Sequence, residues 1–277
     1  MTFWEAILFG LIQGFTEIMP VSSSAHLSIL GNLFGISSNA ANYPLMTVFL
    51  HMGTLVSVLV VYLPAIEEML DEILIMLRAG NGEIRGRRHY PATRLALMLA
   101  ISCVPLVLLF PFLDFIDRLY YNSIFIGVTL ILSGFVLFIS DRLLSGEKDE
   151  RNITFLDALL VGFCQLVAAI PGISRTGTVM TACKAVGMNK EFSLKYAFLL
   201  SLPVVFVMNI VHFVAAMEYG FVWKEVPLYL IGMVVAFLAG TYAMRIVRHA
   251  AENGKFHNFA YYNWVAGVLF IILTMIF

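Results

Sequence analysis

The chain has 277 residues, of which 60% are hydrophobic and 13% charged, with a mean hydropathy of +0.89. Soluble domains carry about 25% charged residues, so composition alone assigns an integral membrane protein. A net charge of −1 argues against nucleic acid as a partner, and three cysteines (Cys103, Cys164, Cys183) without a CxxC pair argue against a disulfide framework or a zinc site.

The N-terminus, MTFWEAILF, has neither a basic region nor a small-residue cleavage site, so no signal peptide is predicted, and the first basic residue is Arg78. The first apolar stretch, 3–35, is broken by PVSSS. Segments able to cross the roughly 30 Å hydrocarbon layer follow at about 45–63, 95–113 and 123–141. A second broken stretch, 155–187, carries PGISRTG, and three more spans follow at about 193–217, 226–244 and 259–277. At about 1.5 Å per residue, the piece from Ser24 to Gly35 would be under about 20 Å long as a helix, too short to cross. Each broken stretch therefore reads as helix–break–helix, dipping in and returning on one side.

The two broken stretches are copies of one another. A shift of 152 residues pairs FWEAILFGLIQ with FLDALLVGFCQ, so that Phe3 meets Phe155, Ala6 meets Ala158, Leu8 meets Leu160, Gly10 meets Gly162 and Gln13 meets Gln165. Across the break, Ile18 meets Ile170, Ser22 meets Ser174 and Gly35 meets Gly187, while Pro20 and Pro171 miss by one. Charge gives an independent check. If only the six long segments cross, 14 basic residues fall on one side, among them Arg78, Arg85, Arg87, Arg88, Arg94, Arg142, Lys148 and Arg248. The other side receives only Arg118 and Lys224. That asymmetry would place the basic side in the cytoplasm, and it dissolves if the broken stretches cross. The predicted fold is an all-α polytopic membrane protein, one domain over 1–277. It has six transmembrane helices plus two re-entrant helix–break–helix segments, in an inverted-topology repeat of about 1–141 and 153–277. Breaks at membrane depth need protein or a water-filled cavity around them, so the two should face each other and build one site.

Glu17 is the one carboxylate between Glu5 and Glu67, one turn after Gln13, and an ionisable residue at such a position is a functional candidate by default. In PVSSSAH, capping would need one serine. Three serines and a histidine also fit a nucleophile, Ser23, with His26 one helical turn on as its acid/base partner in a shared cavity. In PGISRTGT, Arg175 is the one arginine predicted deep in the apolar region. Its planar fork suits phosphate or carboxylate, and a structural pairing with Glu17 is the competing role. Gly172 and Gly177 allow close backbone approach, and helices starting after each break would aim free amides at the same place. Ser22, Ser24, Ser174, Arg175, Thr176, Gly177 and Thr178 form the candidate phosphate-binding set. His51 and His212 lie in apolar spans and read as interhelical packing, and residues 78–94 read as a loop near anionic headgroups.

Q-x-x-x-E followed by PVSSSAH, LHMGT at 50–54, and PGISRTGT some 150 residues after the first motif resemble the bacterial undecaprenyl-diphosphatase family of the bacitracin-resistance type, over the full length. The resemblance implies hydrolysis of undecaprenyl diphosphate to the monophosphate and inorganic phosphate. It implies recycling of the lipid carrier of peptidoglycan synthesis, in the bacterial plasma (inner) membrane with the site opening outward. It also implies dependence on magnesium or calcium. It places the family's acid on Glu17, its serine on Ser23, its histidine on His26 and its arginine on Arg175. Gln13 stands where the family often has glutamate, and Ala25 where glycine is usual before the histidine. A second carboxylate is thus missing, and the metal ligands expected are Glu17 with the Gln13 amide oxygen. Membrane lipids are the other expected partners, a homodimer is left open, and the competing functions are a lipid-phosphate transporter or flippase and a non-catalytic lipid-binding scaffold.

Overall fold

Long apolar runs leave the backbone no water to bond in a bilayer, so the chain satisfies its amides within helices. The computed structural model describes residues 1–34, 43–83, 90–120, 122–219 and 223–276. Gly35 of the repeat and Arg85, Arg87, Arg88 and His89 of the basic loop lie outside the described residues. In chain order come α1 (Phe3–Ile18), α2 (Ser23–Leu33), α3 (Tyr43–Val61), α4 (Leu63–Glu83) and α5 (Pro91–Cys103). A 3₁₀ segment, Val104–Phe112, leads to α6 (Leu113–Tyr120) and α7 (Ser123–Arg142). The second half contains α8 (Phe155–Val167), α9 (Arg175–Ala185), α10 (Lys190–Tyr219), α11 (Val226–Glu252) and α12 (His257–Ile276).

Six segments are long and apolar enough to cross a membrane: Pro44–Val61, Pro91–Ile116, Ser123–Arg142, Lys190–Glu218, Trp223–Glu252 and His257–Ile276. They fall where the hydropathy pattern put them. The second is wound unevenly, because Pro105 lacks an N–H for the α ladder and the chain tightens into 3₁₀ turns that run on through Pro111. Helix α4 was not expected from the sequence, and it carries the chain into the region 78–94 that reads as loop.

Polar contacts at the helix ends fix the path of the two short pairs. His257 Nδ1 meets Asp141 Oδ2 at 2.6 Å, joining the end of α7 to the start of α12. Helix α11 ends at Glu252, only a few residues earlier, so α7 and α11 both begin at the opposite end of the molecule. At that end the Met1 ammonium meets Glu225 at 3.3 Å, Ser28 Oγ donates to Tyr120 O at 3.1 Å and Asn32 Nδ2 to Ser123 Oγ at 3.3 Å. Both ends of the α1–α2 pair therefore lie together. The α8–α9 pair starts and finishes at the other end, where Lys148 Nζ bonds Asp157 at 2.8 Å, Lys184 Nζ donates to Ser140 O at 2.5 Å, and Lys148 bridges to Met188.

Corresponding residues also do corresponding work. Thr2 with Glu5, and Thr154 with Asp157, each close a capping box. Gly10 lets α1 approach α11, where a Cβ would sit 2.5 Å from Gly232 O. Gly162 lets α8 approach α5, where a Cβ would sit 2.5 Å from Ser102 O.

Candidate active site

The first break, Met19–Ser22, is held from α12 and from its own helix. Ser22 takes φ +63°, the one positive φ outside glycine among the described residues, and such strain concentrates at functional sites. This turn stretches the first helical bond, His26 N–H to Ser22 O, to 3.5 Å. A buried carbonyl needs a better donor, and the imidazole supplies it: His26 Nδ1–H donates to Ser22 O at 2.8 Å. That bond fixes the tautomer, so Nε2 accepts from Tyr262 OH at 2.7 Å. Asn263 Nδ2 donates to Pro20 O at 3.1 Å.

The second break is anchored by α7. Thr129 Oγ1 donates to Pro171 O at 2.6 Å, Ser174 N–H donates to Ser133 Oγ at 3.0 Å, and Ser174 Oγ caps α9 by accepting from Gly177 N–H at 3.2 Å. Gly172 sits at φ +94°, and a Cβ there would lie 2.0 Å from Thr129 Oγ1 and 2.7 Å from Ile126 O. Gly172→Ala combines backbone strain with overpacking. It is expected to cost about 2–4 kcal/mol, read as a lowered thermal midpoint in detergent.

The two breaks touch. Gly172 N–H reaches Ser24 Oγ at 3.5 Å, Thr176 Oγ1 donates to Glu17 O at 3.3 Å, and Pro20 packs against Gly177. Where they meet, one carboxylate gathers the polar groups. Arg175 Nη2 bonds Glu17 Oε1, while Glu17 Oε2 accepts from Ser23 Oγ at 2.5 Å and from Gln13 Nε2 at 3.3 Å. His51 Nε2 lies 3.6 Å from the same oxygen. The Glu17 side chain is only 5% exposed, so this pairing is what makes its charge tolerable there. Arg175, at 21%, keeps part of its surface open, and its Nε has no partner among the described residues.

A cavity of about 310 Å³ opens onto these groups, within the range of about 300–1,000 Å³ usual for small-molecule sites. Its lining includes Glu17, Ser22, Ser23, Ser24, Ser174 and Arg175, and it extends to Asn32, Pro44 and Tyr120 at the end where α1 and α7 begin. Several expected members lie elsewhere. His26 does not line the cavity and spends both ring nitrogens on Ser22 and Tyr262, so the shared Ser23–His26 cavity is not formed. The three-residue step ignored the pull of the strained Ser22 carbonyl on the imidazole. Gln13, Thr176, Gly177 and Thr178 are buried behind the wall, with Thr176 holding the α1 backbone and Gly177 packed on Leu137. Conversely, His51 on α3 and His212 on α10 do line the cavity. The available sequence signal for His51 was a polar stripe at helical spacing, Thr47, His51 and Thr54, within an apolar span.

Among the described residues no group of three His, Cys, Asp or Glu is placed to hold a metal ion. One orphan bears on a cation: Gln13 Oε1 is buried with no hydrogen-bond partner among the described residues, on the amide that already bonds Glu17.

Residues 6–269 match the family described as bacitracin resistance protein BacA. The chain is similar to the undecaprenyl-diphosphatase of Alkaliphilus metalliredigens (strain QYMF), with 32% identity over 281 residues covering 100% of both chains. It is similar to that of Carboxydothermus hydrogenoformans, at 32% identity over 99% of this chain and 98% of the relative. The undecaprenyl-diphosphatase of Methanococcus vannielii shares 33% identity over 97% of this chain and 98% of its own length.

Proposed function

Because the chain belongs to the BacA family of bacitracin resistance proteins, we propose that it is a membrane-embedded phosphatase. It hydrolyses undecaprenyl diphosphate to undecaprenyl phosphate and inorganic phosphate, recycling the lipid carrier for peptidoglycan synthesis and conferring bacitracin resistance. The observation that carries this reading is the convergence of Glu17, Ser23 and Arg175 from the two breaks onto one cavity.

Ser23 Oγ attacks the terminal phosphorus, and its proton passes along the existing 2.5 Å bond to Glu17. The new bond is Ser23 Oγ–P; the bond that breaks joins that phosphorus to the bridging oxygen, which leaves on the lipid phosphate. Water then releases the phosphate from Ser23, and Glu17 returns the proton to the serine oxygen. Arg175 and the first amides of α2, which the Ser22 side chain does not cap, neutralise charge on the transferred group. His26 acts by holding the strained turn that presents Ser23.

Magnesium or calcium carried with the diphosphate would be held by the single carboxylate of Glu17, with the orphaned Oε1 of Gln13, its hydrogen-bonded neighbour behind the wall, as the other oxygen to hand. Bound there, it would neutralise phosphate charge.

The short pairs α1–α2 and α8–α9 are read as two re-entrant segments of an inverted repeat. Their entry and exit at opposite ends, and the matched capping boxes and glycines, support this. Positive residues gather at the end where α8 starts, which is assigned to the cytoplasm. The cavity then faces the outer surface of the plasma (inner) membrane. A carrier of lipid phosphate would use the same architecture without turnover. Phosphate release from undecaprenyl diphosphate by purified protein with magnesium separates the two: steady release is expected here, and binding without release would favour the carrier.

A further inference from the structure

The hydrolase reading uses one wall of the cavity and leaves the other without a task. That wall is made by α3 and α10, and its polar groups are Thr47, His51 and His212. His51 is committed on both sides: Nδ1–H donates to Thr47 O at 2.9 Å, and Nε2 faces Glu17. His212 is not. Its ring lies nearly parallel to that of His51, with centroids 6.3 Å apart and planes at 24°, yet it makes no hydrogen bond to any described residue. It sits inside the apolar span Lys190–Glu218, about two turns before its end, on the stripe Met208–His212–Ala215 that α10 turns toward the cavity. A polar ring in such a span is costly when nothing pairs with it, and one that faces a cavity is paired by what the cavity holds.

Building on the hydrolase reading, we propose that His212 is a substrate-binding residue that donates a hydrogen bond to the phosphate remaining on the lipid, so that the cavity reads a diphosphate as two separate phosphates. Glu17, Ser23 and Arg175 gather around the phosphate that is transferred; His212, on the facing helix, takes the oxygen of the one that stays. An imidazole can donate an N–H in either of its protonation states, so the contact does not depend on a change of charge. Parallel packing against the fixed ring of His51 limits how far His212 can turn.

A single hydrogen bond to a charged oxygen sets the size of the effect at about 10–100-fold in affinity. His212→Phe is therefore expected to raise KM for undecaprenyl diphosphate by about 10–100-fold with kcat kept within about threefold. The two products sharpen the test. Inhibition by undecaprenyl phosphate should weaken by the same factor in His212→Phe, while inhibition by inorganic phosphate, which needs only the transfer wall, should not move. His212→Asn and His212→Gln place a donor near one or the other ring nitrogen, and at least one should restore most of the affinity. Equal weakening of both products, a change in KM of less than about threefold, a loss in kcat instead of KM, or rescue by neither amide would overturn the proposal. Wild-type protein that releases no phosphate would overturn the hydrolase reading with it. Wild-type turnover beside an unaltered His212→Phe would remove this proposal alone.

Discussion

Ser23→Ala is expected to lower phosphate release from undecaprenyl diphosphate by at least about a thousandfold while leaving substrate affinity within about threefold. The geometry separates this serine from its neighbours. Ser22 and Ser24 pair with each other at 3.1 Å, and Ser24 also receives the Gly172 amide. Ser174 spends its hydroxyl on the α9 cap. Only Ser23 Oγ is directed at a carboxylate, at the short distance typical of a charge-assisted bond. Removing that oxygen deletes the nucleophile and leaves Arg175, the amides and the cavity for binding. A variant that kept a tenth of the turnover would mean that water, or a neighbouring hydroxyl, attacks instead.

Arg175→Lys is expected to reduce kcat by about 100–1,000-fold, because a lysine keeps the charge and loses the fork. Arg175 Nη2 already serves Glu17, so phosphate must be met by the remaining donors of the same planar group. An ammonium has one centre and cannot span both partners. The charge-preserving change also controls for folding: Arg175→Ala would leave the buried Glu17 carboxylate without its counter-ion and cost about 3–5 kcal/mol of stability as well. Near-normal turnover by Arg175→Lys, with unchanged thermal midpoint, would make the arginine a structural partner of Glu17 rather than a phosphate ligand.

The spans and the two breaks could be read from sequence because both leave one-dimensional signals. A crossing helix needs about 20 apolar residues, and a break at depth shows as PVSSS or PGISRTG inside such a run. The pairing of Glu17 with Arg175 stood in the sequence only as the competitor to phosphate binding, since spacing along the chain does not say whether a buried arginine meets a carboxylate or a ligand. Helix α4 escaped because Glu67, Glu68, Asp71 and Glu72 lower its hydropathy, and a search for spans passes over an amphipathic helix. The roles of the histidines lay beyond the sequence. His26 was assigned by its spacing from Ser23, yet its orientation follows from the backbone angle of Ser22 and from Tyr262, 236 residues away. His51 and His212 meet only because α3 packs against α10, and a histidine within an apolar run carries no mark of the partner it will face.

The proposed cavity chemistry stands on attack at the terminal phosphorus of a lipid diphosphate. Hydrolysis of undecaprenyl diphosphate in ¹⁸O-labelled water, followed by mass analysis of both products, tests it most directly. Label is expected in the inorganic phosphate and none in the undecaprenyl phosphate. Label in the lipid product, or no phosphate released at all, would contradict it.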